Sequence, residues 1–161
     1  MVNKQNTVLR IAGGQLLEAR RAALGTKAPH SLEAVAEVDG VVYINDSRAT
    51  FLDATLASLA QMERRTVWIA GAWSDDMSEG HVRGLLQERV SAVVLFGPQG
   101  DVQADGLEVV HAGDLRTAVF VARELAVDGD AVLFSPACPS GNGFANYEER
   151  GAEFKRAVRD L

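Results

Sequence analysis

Cysteine is nearly absent. Cys138 is the single one among 161 residues, so no disulfide can close within the chain and a cysteine-based metal site would lack partners. That usage fits a reducing cytoplasm. Proline is scarce as well, 4 residues against 15 glycines, and no Pro/Ser-rich tract or internal repeat interrupts the sequence, which excludes a disordered or fibrous chain. Basic residues are the minority, 16 Lys and Arg against 22 Asp and Glu. The net charge of -6 and pI near 5.0 argue against a surface that binds nucleic acid by releasing counterions. Long apolar runs are missing too. No segment approaches the roughly 18 residues of a membrane span, and MVNKQNTVLR lacks the continuous apolar core of a signal peptide. The expectation is a cytoplasmic protein that is neither exported nor anchored. His30, His81 and His111 are scattered without ligand spacing, so no metal site is expected. Neither GxxxxGKS/T nor GxGxxG occurs, and without a phosphate loop the chain has no means of holding ATP by itself.

What is present is an ordinary globular composition, 47% hydrophobic and 24% charged, in a length that suits one domain. QLLEARRAAL, residues 15–24, reads as a short helix stopped by Gly25. LEAVAEV and VVYIN flank Asp39-Gly40, the pair that a type I′ turn favours, and predict a β-hairpin over Leu32–Val38 and Val41–Asn45. Helical and strand patterns then alternate: helix Phe51–Met62, strand Thr66–Ala70, helix Ser78–Glu88, strand Ala92–Phe96, strand Glu108–His111, helix Leu115–Ala126, strand Ala131–Ser135 and helix Asn146–Leu161. Strands such as VWIA, AVVLF and AVLF are apolar at nearly every position, as central parallel strands covered on both faces must be. The fold class expected is α/β: three layers, with a mixed, mostly parallel sheet of about six strands and one antiparallel strand from the hairpin. Residues 1–29 form a lead-in and residues 30–161 the domain.

In such sheets the binding crevice lies beyond the carboxyl ends of the strands, which directs attention to NDSRAT, GAWSDD, GPQGD and SPACPSGNGF. The run Asn45–Thr50 is dense in donors and acceptors, yet it reads equally well as a helix start with Asp46, Ser47 or Thr50 as N-cap. Ser135–Phe144 offers backbone N–H groups to an anion, or is simply a turn needing its prolines and glycines. Cys138 within it has no neighbouring histidine in sequence and reads as an inert thiol. Asp75 and Asp76 suit a helix dipole more readily than a cation.

Three motifs in register resemble one family. HSLEAVAEVDGVVYINDSRAT, VWIAGAWSDD and AVLFSPACPSGNGFANYEERGAEFKRAV resemble the C-terminal domain of the Mur ligases, nearest to the D-glutamate-adding members, over about residues 30–161. The resemblance implies a Rossmann-like domain from an ATP-dependent amide ligase of peptidoglycan synthesis, in which an acyl phosphate is attacked by the amine of the incoming amino acid. The complete family enzyme uses ATP and magnesium. Its N-terminal domain binds the UDP moiety and its central domain binds ATP, while the C-terminal domain delivers the amino acid and closes over the nucleotide. By that likeness Thr50, Asp75, Ser140, Gly141 and Tyr147 border the amino-acid pocket, and His30, Asp46 and Arg48 face the nucleotide. No catalytic residue and no metal ligand is assigned within this chain, which alone is expected to be inactive.

Three positions depart from the family pattern. Ser31 stands where the family has arginine, Arg48 replaces the lysine of DSKAT, and Asp75 occupies the place of a lysine that pairs with glutamate, where a carboxylate repels a dicarboxylate. Two functions are therefore expected. One is the amino-acid-binding part of a D-glutamate ligase, either an excised fragment or one part of a split enzyme in which separate chains supply the UDP- and ATP-binding domains as partners. The other is a non-catalytic descendant that binds protein or a small carboxylate or phosphate ligand.

Overall fold

A computed structural model describes residues 28–71, 80–98, 104, 106–141 and 143–161. The helix expected over residues 15–24, and Asp75 and Asp76, lie outside the described residues. The elements are β1 (Glu33–Val38), β2 (Val41–Asn45), α1 (Leu52–Ala60), β3 (Thr66–Ala70), α2 (Gly80–Arg89), β4 (Val90–Leu95), β5 (Glu108–His111), α3 (Leu115–Leu125), β6 (Ala131–Phe134) and α4 (Tyr147–Arg159). The strands form one sheet in the order β1-β2-β6-β3-β4-β5. β1 and β2 pair antiparallel and the four other neighbouring pairs are parallel. The hairpin turns at Asp39 and Gly40 with φ of 51° and 76°, the two left-handed positions that a type I′ turn requires.

Differences from the expected boundaries are small and have local causes. β4 starts at Val90 because α2 runs directly into it, and Ser91 is accommodated by a register shift between Thr66 and Val67 of β3. The start of α1 is a correction. Its N-cap is Phe51, with no side-chain cap, so none of Asp46, Ser47 and Thr50 fills that role. Asp46 and Ser47 are instead engaged in the loop that precedes the helix, as described below. At the opposite extreme, α3 and α4 are capped conventionally: the side chains of Asp114 and Asn146 accept from the amides of Thr117 and Glu149.

Alternation along the strands divides the core in two. Val42, Ile44, Trp68, Val93 and Leu133 meet Leu52 and Leu59 of α1 and Val82 and Leu86 of α2 on one face. Tyr43, Val67, Ile69, Val94, Val132 and Phe134 meet Val119 and Ala122 of α3 and Phe154 and Val158 of α4 on the other. Phe134 is fully buried between Phe96, edge-on at 5.7 Å, and Phe154, stacked at 5.0 Å between centroids.

This layering positions the site. Because parallel crossovers are right-handed, a chain stepping one way along a sheet lays its helices on one face and uses the other face when it steps back. Here α1 follows β2 on one face while α4 follows the adjacent strand β6 on the other. The carboxyl ends of β2, β6 and β3 therefore lie at a topological switch point, where such sheets place their ligand crevice. Replacing Asp114 with Ala should lower unfolding stability by about 1 kcal/mol through loss of the α3 cap. Thr50→Ala, which removes no cap, should leave stability within about 0.5 kcal/mol of the unmodified chain; urea titrations of both variants check the contrast.

Candidate functional site at the carboxyl end of the sheet

The strand ends remain paired after the strands stop. The Asp46 amide donates to Phe134 O at 2.8 Å, Ser135 N to Ile69 O at 3.1 Å and Gly71 N to Pro136 O at 2.8 Å. The loop carrying Thr50 lies against the loop carrying Ser140 through the Ala137 amide, which donates to Ala49 O at 3.1 Å. Ala137 sits at φ 58°, a conformation that costs energy for a residue with a Cβ and is held here by that cross-loop bond.

Asp46 is buried, 3% exposed. One carboxylate oxygen accepts from the Leu32 amide at 3.1 Å, the other from Ser135 Oγ at 2.7 Å, and Ser135 Oγ lies 2.8 Å from Thr55 Oγ1 of α1. The residue read from the resemblance as nucleotide-facing thus ties β6, α1 and the segment before β1 together from within.

That segment, residues 28–32, crosses the carboxyl end of β2. His30 and Leu32 both have positive φ, 63° and 44°. They are held by the His30 amide donating to Glu33 Oε2 at 3.0 Å, the Arg48 amide donating to His30 O at 3.1 Å, and the Leu32 contact to Asp46. The His30 ring lies with Nδ1 2.9 Å from Ser47 Oγ and 3.1 Å from Asn45 Nδ2. Its other neighbour is Tyr147 at the start of α4, edge to face with centroids 5.8 Å apart. The Glu148 carboxylate, hydrogen bonded to the Tyr147 hydroxyl, pushes that hydroxyl's pKa up, and Arg48 nearby acts in the opposite sense. His30, Arg48 and Tyr147 therefore share one wall of the crevice.

Sequence reasoning missed the residues that support this wall. Glu33 Oε2 accepts from Asn45 Nδ2 at 3.1 Å, and Glu33 Oε1 from Lys155 Nζ of α4 at 2.7 Å. Burial alone would raise the Glu33 carboxyl, but bonds from Lys155, the His30 amide and Asn45 hold it below its usual range. Arg150, 2% exposed, donates to Ser47 O at 3.0 Å and to the Cys138 thiol. Burial pulls the Arg150 guanidinium down and pushes the Cys138 thiol up, so Cys138 stays protonated at neutral pH. The available signal was Gly151 in the middle of a helical pattern, which marks a close approach. A side chain there would collide with His30 Nδ1 and Ser47 Oγ.

At the start of α4, Asn146 accepts from Glu149 N and Glu149 Oε2 accepts from Ala145 N at 2.7 Å, a local capping pair. Ser140 and Gly141 lie on the preceding loop, Ser140 half-buried and Gly141 exposed. Asp75 lies outside the described residues. Among the described residues no three His, Cys, Asp or Glu side chains approach closely enough to hold a metal ion. Both Asp46 carboxylate oxygens accept hydrogen bonds from within the protein. No described helix is long and apolar enough to cross a membrane.

Comparison with known proteins adds the ancestry. No protein-family model matches the chain. The UDP-N-acetylmuramoylalanine–D-glutamate ligase of Christiangramia forsetii is 37% identical over 170 residues, covering 99% of this chain and 38% of that protein. The ligase of the same description from Methylobacillus flagellatus is 40% identical over 160 residues, covering 96% and 35%. The chain belongs to the Mur ligase family. It spans a little over a third of the length of these relatives and corresponds to the Mur ligase C-terminal domain. MurF ligase from Thermotoga maritima, solved in complex with ADP, superposes with a TM-score of 0.51 at 14% identity over 83% of this chain and 32% of its own, a likeness of fold.

Two substitutions test the site's internal bonds. Asp46→Ala leaves the Leu32 amide and the Ser135 hydroxyl without their acceptor inside the protein and should cost about 3 kcal/mol, measured by urea unfolding; a purely ligand-facing carboxylate would give almost no change. Glu33 has a folded pKa below its unfolded value of 4.5. Its contribution is therefore present above that value and is lost as pH falls through the lower, folded one. The stability difference between the unmodified chain and Glu33→Gln should be about 1 to 2 kcal/mol at neutral pH and should shrink toward zero in acid.

Proposed function

We propose that the chain is the amino-acid-binding part of an ATP-dependent UDP-N-acetylmuramoylalanine–D-glutamate ligase of peptidoglycan synthesis, working in the cytoplasm with UDP- and ATP-binding domains, whether these belong to the same polypeptide or to separate chains. The observation that carries this reading is the cross-loop bond from Ala137 to Ala49. It seats Thr50 and Ser140, which the family resemblance assigns to the amino acid, on adjacent loops of one crevice. The identity of 37–40% with ligases of that description supports the same substrate class.

In this reading Thr50, Ser140, Gly141 and Tyr147 border the incoming amino acid with Asp75. His30 and Arg48 form the wall that closes toward the nucleotide held by the central domain. Asp46 serves that wall from behind, by fixing Leu32 and so the course of the segment that carries His30. ATP and magnesium supply acyl-phosphate activation in the complete enzyme; the residues of this chain orient and enclose the amino acid.

A second reading, a non-catalytic descendant binding a small anion, draws on specific observations. Ser31 offers no guanidinium, and the Asp46 carboxylate is committed to interior bonds. The two diverge in an assay that mixes the chain with a separate polypeptide carrying UDP- and ATP-binding domains, in the presence of UDP-N-acetylmuramoyl-L-alanine, D-glutamate, ATP and magnesium. Amide formation that requires both chains supports the ligase reading, and its absence with well-folded partners supports the descendant. The chain alone should release no phosphate from ATP, because it lacks a phosphate loop. D-Glutamate should bind the isolated chain weakly, with Asp75→Lys improving it through the sign of the charge. Calorimetry showing millimolar or tighter binding by the unmodified chain would overturn the charge argument.

A further inference from the structure

The supporting bonds behind His30 determine more than its position. The Asn45 side-chain oxygen accepts from the Ser47 amide at 3.2 Å, and a backbone N–H can only donate. The Asn45 nitrogen faces the Glu33 carboxylate at 3.1 Å, which can only accept. The orientation of the Asn45 amide is therefore fixed by its neighbours on both sides. Its second N–H is directed at His30 Nδ1, 3.1 Å away. A proton on that nitrogen would confront this N–H head-on, even though Ser47 Oγ at 2.9 Å offers it an acceptor. The neutral ring consequently accepts at Nδ1 and carries its proton on Nε2.

The two nitrogens also differ in surroundings. The Nδ1 side packs against the backbone of α4 at Gly151, which has no Cβ to obstruct it. The His30 residue is half-buried, and Nε2 makes no hydrogen bond among the described residues. It lies on the wall shared with Tyr147 and the exposed cation Arg48.

We infer that Lys155, Glu33 and Asn45 form a relay that locks His30 in its Nε2–H tautomer, so that His30 presents a fixed hydrogen-bond donor to an anionic oxygen, of phosphate or carboxylate, in the crevice. Lys155 orients Glu33, Glu33 orients Asn45, and Asn45 selects the tautomer; these three are positioning residues, and His30 is the ligand-contacting one. The ligand half of this inference rests on the anion-binding crevice proposed above. The tautomer half rests on the bonds alone.

The test is nitrogen NMR of the full chain labelled at histidine nitrogens, at mildly alkaline pH where an ordinary imidazole is neutral. The His30 signals are assigned by their loss in His30→Gln. Nε2 should appear pyrrole-like and Nδ1 pyridine-like in the unmodified chain; a dominant Nδ1–H form would overturn the relay. Asn45→Asp replaces the donating nitrogen by an acceptor and should move the proton to Nδ1. Ser47→Ala removes the hydroxyl and keeps the relay, so the tautomer should persist, and a switch there would show that Ser47 sets it instead. Folding of each variant is followed by fluorescence of Trp68, whose indole nitrogen is bonded to Ser135 O. Inorganic phosphate and D-glutamate are then titrated separately. Movement of the His30 Nε2 signal with His111 unmoved supports the donor role, and the ion that moves it at lower concentration identifies the preferred source. If the tautomer is as inferred and neither ion moves the signal, the donor role is wrong while the relay stands.

Discussion

The buried carboxylate of Asp46 is the constraint on which the carboxyl end of this sheet depends. A charge 3% exposed is tolerable inside a protein only when its lone pairs are filled. Here they are filled by groups from different parts of the chain: the Leu32 amide from the segment before β1 and the Ser135 hydroxyl from the end of β6, itself in contact with Thr55 of α1. Each partner would otherwise have its own unpaired polar group near the core. The arrangement is thus mutually enforcing, and it explains how Leu32 can hold a left-handed conformation that its bulky side chain disfavours.

Strand order accounts for why those groups meet at all. Inserting β6 between β2 and β3 brings the last strand of the chain beside the loop that leaves the second. The helices after β2 and β6 depart to opposite faces, so neither covers the gap. The polar side chains at the two strand ends, Asp46 and Ser135, accordingly meet directly and are buried together, so each satisfies the other where the strands stop.

The architecture was legible because its signals are local. Apolar strands that read the same on both faces, the Asp39-Gly40 turn and helix periodicity each depend on a few consecutive residues, and all ten described elements lie within a few residues of where those patterns put them. The site was legible only in part. The resemblance named Asp46, His30, Arg48, Thr50, Ser140 and Tyr147, and the strand-end rule located the same loops. Nothing local indicates that Asp46 points inward, since that depends on Leu32 and Ser135, which are 14 and 89 positions away. Nor does any local pattern pair Lys155 with Glu33 across 122 positions. The helix start after Thr50 differs from expectation for the same reason in part: two of the three candidates, Asp46 and Ser47, are bonded to partners distant in sequence.

Arg150 shows how far that long-range dependence extends. It is 2% exposed and forms no ion pair with a carboxylate among the described residues. Its contacts are the Ser47 carbonyl and the Cys138 thiol, with Nε buried and unpartnered. A guanidinium in such surroundings is costly to bury. Its placement is intelligible as a bridge, because Ser47 follows β2 and Cys138 follows β6, the two strand ends that flank the crevice. The next residue of the same helix turn, Gly151, admits His30 and Ser47. Consecutive residues of α4 therefore act in opposite ways on one loop: Arg150 reaches out to it and Gly151 withdraws to let it in. The segment carrying His30 can lie flat against α4 only when both hold, so the geometry of the crevice wall is set as much by the last helix as by the strand from which its residues emerge.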